Sequence, residues 1–328
     1  MLSIAVIGAG RLGSVHAFNI ASHPRARLDG VADMDAAAAA RLARACGARA
    51  LTMDEAFGAD AVVIATPTPS HADFIERGAK ARRAMFCEKP IALSADRVRA
   101  CLDAVRAAGV TLMVGFNRRF DPHFVALERR LRAGEVGELE LLTIISREPE
   151  PPPRKYLAGS GGLFRDMTIQ DLDMARFLLG EDPVDVHAAA SCLIDPEIGE
   201  AGDVDTAVVT LRTARGRLCT ISNSRRATYG YDQRIEAHGS AGLLRAGNVT
   251  ATTVELATAH GFVSDPVLPF FRERYAASYR AEMDAFITAL ADGAAPRPNG
   301  EDGLKALLLA DAAEESARQR QVIQVALD

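Results

Sequence analysis

Over the first 120 residues, short apolar runs alternate with longer stretches whose apolar side chains return every three or four positions. The runs at 2–7, 26–32, 61–65, 84–87 and 111–114 have the length and side chains of buried strands. The segments 11–22, 35–46, 70–81 and 95–108 between them read as alanine-rich amphipathic helices. Strand and helix in regular alternation predict a doubly wound parallel sheet with helices on both faces. Ligands of such sheets bind beyond the carboxyl ends of the strands.

Past Ala133 the pattern changes. Residues 138–147 alternate as a strand, a loop broken by Pro149 and Pro151–Pro153 comes next, and a helix is predicted from near Gly162 to Leu179. The stretches 184–194, 204–213, 216–223, 231–238 and 243–255 read as strands with no helix between them, which predicts an open, largely antiparallel sheet. Two helices, about 272–291 and 300–319, end the chain. The expected organisation is α/β in two domains, 1–120 and 121–328, with the final helix a candidate to pack back on the first.

The point where the first strand ends carries the strongest chemical signal. Ile4–Ile7 runs directly into Gly8, Gly10 and Gly13, with Arg11 and Leu12 opening the adjoining helix. The first glycine permits a tight turn, the second lets a pyrophosphate approach the backbone, and the third lets the helix pack close with its N–H groups facing the phosphates. Asp33 ends the second strand, 20 residues after Gly13, where a carboxylate accepts the ribose hydroxyls of an adenosine. Asp33 would repel a 2′-phosphate, and no Lys or Arg comes directly after it, so NAD is expected over NADP. The first domain is therefore read as a Rossmann, dinucleotide-binding domain.

Composition narrows the remaining classes. The chain has 328 residues, 48% hydrophobic and 25% charged, ample for two packed cores. Its net charge of −5 and dispersed arginine pairs disfavour a nucleic-acid partner. Cys46, Cys87, Cys101, Cys192 and Cys219 include no close pair and suit buried thiols in a reducing compartment. The histidines form no cluster at ligand spacing, so no metal site is expected. With no leader pattern and no apolar run of spanning length, a cytoplasmic protein without a membrane partner is expected.

Three further signals fall at strand ends: Thr66-Pro67, Glu88-Lys89-Pro90 and Asn117-Arg118-Arg119. A lysine beside an oxidised nicotinamide meets a positive ring that disfavours its own charged form, and such an amine can exchange a proton with a substrate hydroxyl. The alternative for Lys89 is a solvated loop lysine. Glu88 either contacts the nicotinamide ribose or caps the loop, and Pro90 permits a cis bond. His71 opens the helix after Thr66-Pro67 and could cap it or touch the loop, and His16 reads as packing. On the helix after Gly161-Gly162, Asp166, Gln170 and Asp173 share one face, beside an apolar stripe of Leu163, Met167, Met174 and Phe177. That polar face is either a lined cavity or a solvated surface. The preceding Arg154-Lys155-Tyr156 reads as a surface linker, with a substrate gate as the alternative.

Taken together and in order, the glycine run, Ala65–His71, Glu88-Lys89-Pro90, Gly115–Asp121 and Gly161–Asp173 resemble the glucose–fructose oxidoreductase/inositol dehydrogenase/rhizopine catabolism (Gfo/Idh/MocA) family. The stretches Phe164–Asp173 and Tyr229-Gly230-Tyr231-Asp232 are most similar to its inositol 2-dehydrogenase branch. The resemblance covers nearly the whole chain. It implies an N-terminal Rossmann domain and a C-terminal α/β domain whose open sheet builds dimers and tetramers. It also implies oxidation of a secondary alcohol on a cyclic polyol or sugar, with hydride passing to nicotinamide C4. Carried over by position, Lys89 is the family lysine and Asp166 its paired carboxylate. Asn117 and Arg118 fall at cofactor and substrate contacts, Tyr231 near a polyol contact, and Thr66, Pro67 and His71 along the cofactor crevice.

One position departs. Inositol-type relatives carry a histidine where this chain has Gln170, and an amide can orient a hydroxyl but cannot take its proton. Lys89 is then expected to perform the proton exchange, backed by Asp166, with Gln170 as orienter. Two other activities fit the same resemblance: an NAD-using glycosidase, and a non-catalytic NAD-binding sensor.

Overall fold

The computed structural model describes residues 1–327, which separate into two compact units. Residues 278–307 cluster with 1–120, and the rest, 121–277 and from Leu308 on, forms the second unit.

In the first unit β1 (Leu2–Ile7), β2 (Ala26–Ala32), β3 (Arg49–Leu51), β4 (Ala61–Ile64), β5 (Ala84–Glu88) and β6 (Leu112–Gly115) form one sheet in the order β3-β2-β1-β4-β5-β6. Every pairing is parallel. β1 and β4 are central, and Ile4–Ile7 and Ala61–Ile64 are completely buried, so they read as unbroken apolar runs. Strand order reverses between them, which opens a crevice at their carboxyl ends. β3 leaves no mark in the apolar pattern, since three residues are too few to show a period.

Helices Arg11–Ala21, Ala36–Ala45, His71–Lys80 and Ala95–Ala108 match the expected pattern. Asp35 caps the alanine-rich one by accepting the N–H groups of Ala37 and Ala38 at 2.9 and 3.1 Å. Met283, Phe286 and Ile287 on helix Ala276–Ala291 pack into the core with Ile4, Val6, Ile20, Val31 and Phe86. These apolar contacts bind a late segment to the first unit.

In the second unit β7 (Leu139–Arg147), β8 (Pro183–Ser191), β9 (Thr206–Thr213), β10 (Leu218–Ser224), β11 (Asp232–Gly239) and β12 (Gly242–Ala246) are joined by a late strand. β13 (Glu255–Thr258) and β14 (Gly261–Ser264) form a separate hairpin, and β15 (Ile323–Gln324) is the added edge. The order is β12-β11-β7-β10-β9-β8-β15, antiparallel except for the β7–β10 pair. One face buries Leu142, Ile144, Val209, Leu211 and Ile221, while the other leaves Leu141, Val208 and Leu218 exposed. The strand expected over 243–255 stops at Ala246, and the hairpin beyond it is exposed throughout.

Around the polar helix the structure corrects two expectations. Arg154–Ser160 is a helix rather than a linker, and Phe164–Thr168 forms a π-helical turn before helix Ile169–Leu179. The wider turn shifts Asp166 out of simple i, i+4 register with the residues of that helix. Among the described residues no helix is long and apolar enough to cross a membrane.

Candidate active site

Gly8 comes directly after β1 at φ +108°, and a Cβ there would lie 2.5 Å from the Ala65 carbonyl oxygen. A Cβ on Gly13 would lie 1.8 Å from the Gly8 oxygen, so helix and turn touch through bare backbone. Gly10 instead faces open space, with nothing within 4 Å of its virtual Cβ. The helix beginning at Arg11 has no side-chain cap, which leaves its first N–H groups directed to that space. Such donors suit a pyrophosphate. Asp33 is held on both oxygens: Oδ2 accepts the Ala9 N–H at 2.6 Å and Oδ1 the Asp35 N–H at 2.8 Å. Its remaining lone pairs can accept ribose hydroxyls. The cradle therefore fits a dinucleotide.

Thr66 and Pro67 leave β4, and Ser70 Oγ sits 2.7 Å from Thr66 Oγ1 and 2.8 Å from the Pro67 oxygen. His71 links two loops, with Nδ1 2.8 Å from the Pro90 oxygen and Nε2 2.7 Å from the Thr66 oxygen. Burial depresses its pKa, and the two carbonyls, each of which accepts from the ring, pull it the other way. The ring thereby braces the turn carrying Lys89, whose bond to Pro90 is cis.

Glu88 ends β5 in the interior, with Oε1 2.6 Å from His16 Nε2. Glu282, from the late helix, completes a buried trio whose ligand atoms lie within 4.8 Å of one another. The His16–Glu88 separation is that of a shared proton rather than of two ligands around a metal ion. Burial, and then the Glu88 charge, push Glu282 well above the usual carboxylate range. No local pattern marks Glu282, because its partners come from a helix and a strand far away in the sequence. At the end of β6, Asn117 and Arg118 are buried in a single 3₁₀ turn. Asn117 Nδ2 donates to Ser278 Oγ at 3.2 Å, and the Ser278 hydroxyl donates to the Asn117 carbonyl.

In the second unit the helix carrying Asp166 and Gln170 is enclosed rather than solvated. Asp166 is 8% exposed, and Asp171 and Asp173 are fully buried. Thr168 Oγ1 donates to Asn223 Oδ1 at 2.7 Å, and Asn223 Nδ2 donates to Asp171 Oδ2 at 2.8 Å, which pins the helix to β10. Asp166 Oδ1 accepts the Tyr156 hydroxyl at 2.8 Å. Desolvation of that hydroxyl and the adjacent carboxylate raise the Tyr156 pKa, so it remains the donor. Gln170 Oε1 is buried without a hydrogen-bond partner, an acceptor open to a ligand hydroxyl. Tyr231 packs edge-on against Phe270 and Tyr275. Neighbouring Asp232 accepts from Tyr229, Arg234 and Asn248, so much of the Tyr229–Asp232 motif is scaffold.

Residues 2–116 match the sequence model described as an oxidoreductase family with an NAD-binding Rossmann fold, and 124–245 match the Gfo/Idh/MocA C-terminal domain. Inositol 2-dehydrogenase of Rhizobium meliloti is 53% identical over 98% of each chain. The chain belongs to the Gfo/Idh/MocA oxidoreductase family. The crystal structure of a myo-inositol dehydrogenase from Corynebacterium glutamicum superposes with a TM-score of 0.95 at 46% identity, covering 99% of both chains. A scyllo-inositol dehydrogenase from Lactobacillus casei, solved with NAD(H) and scyllo-inositol, gives 0.92 at 26% identity and the same coverage. The all-parallel Rossmann sheet and the mixed C-terminal sheet are the architecture of this family.

Of the residues singled out from sequence, Gly8, Gly10, Arg11, Leu12, Asp33, Thr66, Pro67, Glu88, Lys89, Asn117 and Arg118 lie at or just beyond carboxyl ends of parallel strands. Asp166 and Gln170 stand on one continuous helical segment. Tyr156 falls in the stretch read as a surface linker with a substrate gate as the alternative, and its hydroxyl turns inward to Asp166.

Proposed function

We propose that this protein is an NAD-dependent dehydrogenase that oxidises a secondary hydroxyl of an inositol-like cyclic polyol, or of a related sugar, to the ketone. The observation that carries the proposal is the amine at the end of β5. Lys89 extends a strand parallel to β1 and two places from it, on the sheet edge that holds the glycine turn and Asp33. Bound NAD⁺ supplies the hydride acceptor at nicotinamide C4. Lys89 takes the hydroxyl proton while the carbinol hydrogen leaves as hydride, so alcohol and NAD⁺ become ketone, NADH and a proton. Asp166 serves as the carboxylate partner of that lysine, in keeping with the family motif. The orphan Gln170 oxygen orients a substrate hydroxyl. Arg118 and Tyr231 line the polyol, and Asn117, Thr66, Pro67 and Glu88 hold the cofactor.

The Asp33 carboxylate favours NAD over NADP, and the inositol names of the relatives point to a cyclitol. The exposed apolar positions Leu141, Val208 and Leu218 support a homodimer or homotetramer built on the open sheet. The free cysteines support a cytoplasmic setting.

Reduction of NAD, with NADP as control, against inositol isomers, inosamines and pyranoses tests the activity. Net NADH formation with a free cyclitol or sugar is expected. Aglycone release without NADH would indicate a glycosidase, and tight NAD binding without turnover a sensor. Single-turnover hydride transfer should fall about 10²- to 10⁴-fold in Lys89→Met. A variant that keeps most of the rate refutes the role of Lys89.

A further inference from the structure

β10 ends at Ser224, and the next side chain, Arg225, is completely buried. None of its three guanidinium nitrogens has a hydrogen-bond partner. Three carboxylates face it instead: Asp166 Oδ2 at 3.7 Å and Glu148 Oε2 at 3.9 Å from Nη1, and Asp203 Oδ2 at 3.7 Å from Nη2. Arginine–carboxylate pairs are frequently short and forked. Here one cation is shared among three acids at longer range, so its field rather than a directed bond holds them.

Two of the three carboxylates are also held from their other sides. Asp203 Oδ1 accepts the N–H groups of Leu163 and Val204 at 2.9 and 2.8 Å. A Cβ on Gly162 would lie 2.8 Å from that same oxygen, and Gly162 sits at φ +81°, so glycine is needed for Asp203 to reach the start of the helix. Asp166 is held through Oδ1 by Tyr156, which leaves Oδ2 toward the arginine. Removing the cation would take from all three acids a positive charge that lies within 3.9 Å of each, in an interior where burial makes that charge count for more.

We propose that Arg225 is a positioning residue for the dehydrogenase reaction, its buried guanidinium setting the place of the Asp166 carboxylate with Glu148 and Asp203 as co-ligands of the same charge. It acts through Asp166 and touches no reacting atom. The proposal rests on the role given to Asp166 above.

Full-length wild type, Arg225→Lys, Arg225→Gln, Arg225→Met and Asp166→Asn are compared with NAD and myo-inositol, or whichever polyol the screen identifies. The readouts are kcat, KM, NADH dissociation, the solvent deuterium isotope effect on kcat, and thermal melting. Arg225→Met and Arg225→Gln should lose about 10- to 100-fold in kcat, as expected for a misplaced catalytic group, with KM and NADH binding little changed. Their solvent isotope effect should rise as proton transfer becomes limiting, and Arg225→Lys should recover most of kcat. If Arg225→Met does not fold, Arg225→Gln decides. A kcat within twofold of wild type, an unmoved isotope effect, or Arg225→Lys no better than Arg225→Gln at equal melting temperature overturns the proposal. Asp166→Asn with full activity sinks the assigned role of Asp166. Inactive Asp166→Asn beside active Arg225→Gln sinks only the inference about Arg225.

Discussion

Gly10→Ala and Gly13→Ala add the same methyl group three residues apart, and the structure assigns them different consequences. At Gly13 the new carbon meets the Gly8 carbonyl oxygen at 1.8 Å, and opening that contact to 3.0 Å requires a displacement of about 1.2 Å. The obstacle is backbone, so helix Arg11–Ala21 or the glycine turn has to move. Overpacking of this kind costs about 1–3 kcal/mol, and each kcal/mol lowers Tm by roughly 2–4 °C in a unit of this size. The moved helix also withdraws its N–H groups from the phosphate position. Loss of one charge-assisted hydrogen bond, about 1.5–3 kcal/mol, weakens NADH binding roughly 10- to 150-fold. At Gly10 the backbone is extended with φ −75°, and the methyl meets nothing within 4 Å, so alanine is tolerated by the empty protein. Its methyl occupies the space left for the pyrophosphate. Thermal melting without ligand and NADH titration by fluorescence separate the two effects. Gly13→Ala should fail in both, and Gly10→Ala only in the second. Wild-type NADH affinity in Gly10→Ala, or an unchanged Tm in Gly13→Ala, would refute this role of the glycine turn.

Two other substitutions probe the interior. Gln170→His replaces an orphan amide oxygen with a titratable ring, and kcat/KM toward myo-inositol should rise at least about tenfold. No gain would mean that the glutamine reflects substrate choice rather than a missing base. Glu282→Gln removes an acid whose folded pKa is raised by burial and by Glu88. The unfolded chain releases that proton above about 4.5 while the folded chain retains it, so wild-type stability falls as pH rises from there toward the folded pKa. Urea unfolding between pH 5 and pH 8 should show Glu282→Gln gaining on wild type by up to about 1.4 kcal/mol per pH unit. Parallel stability profiles would contradict a protonated Glu282.

Much of this protein is legible from local sequence because the causes are local. A completely buried central strand has to be apolar at every position, as Ile4–Ile7 and Ala61–Ile64 are, and a turn that passes backbone against backbone admits only glycine at Gly8 and Gly13. Asp33 falls at a strand end that chain direction alone locates. Those residues define the parallel sheet, the dinucleotide turn and the acid beside it without reference to the rest of the chain.

The charge environment has other origins. Glu282 meets His16 and Glu88, and Arg225 meets Glu148, Asp166 and Asp203, only because distant segments converge on packed strands. The polar row of Asp166, Gln170 and Asp173 has the same periodicity whether water or protein covers it, so the pattern could not tell an enclosed site from a wet surface. Tyr156 and the π-turn at 164–168 likewise depend on what packs around them. Sequence by itself determined which backbone can approach a phosphate, a question of sterics within a few residues. Tertiary structure alone decided which acids share a cation and which keep a proton, since electrostatic energy depends on separation in space and exposure to solvent rather than on distance along the chain.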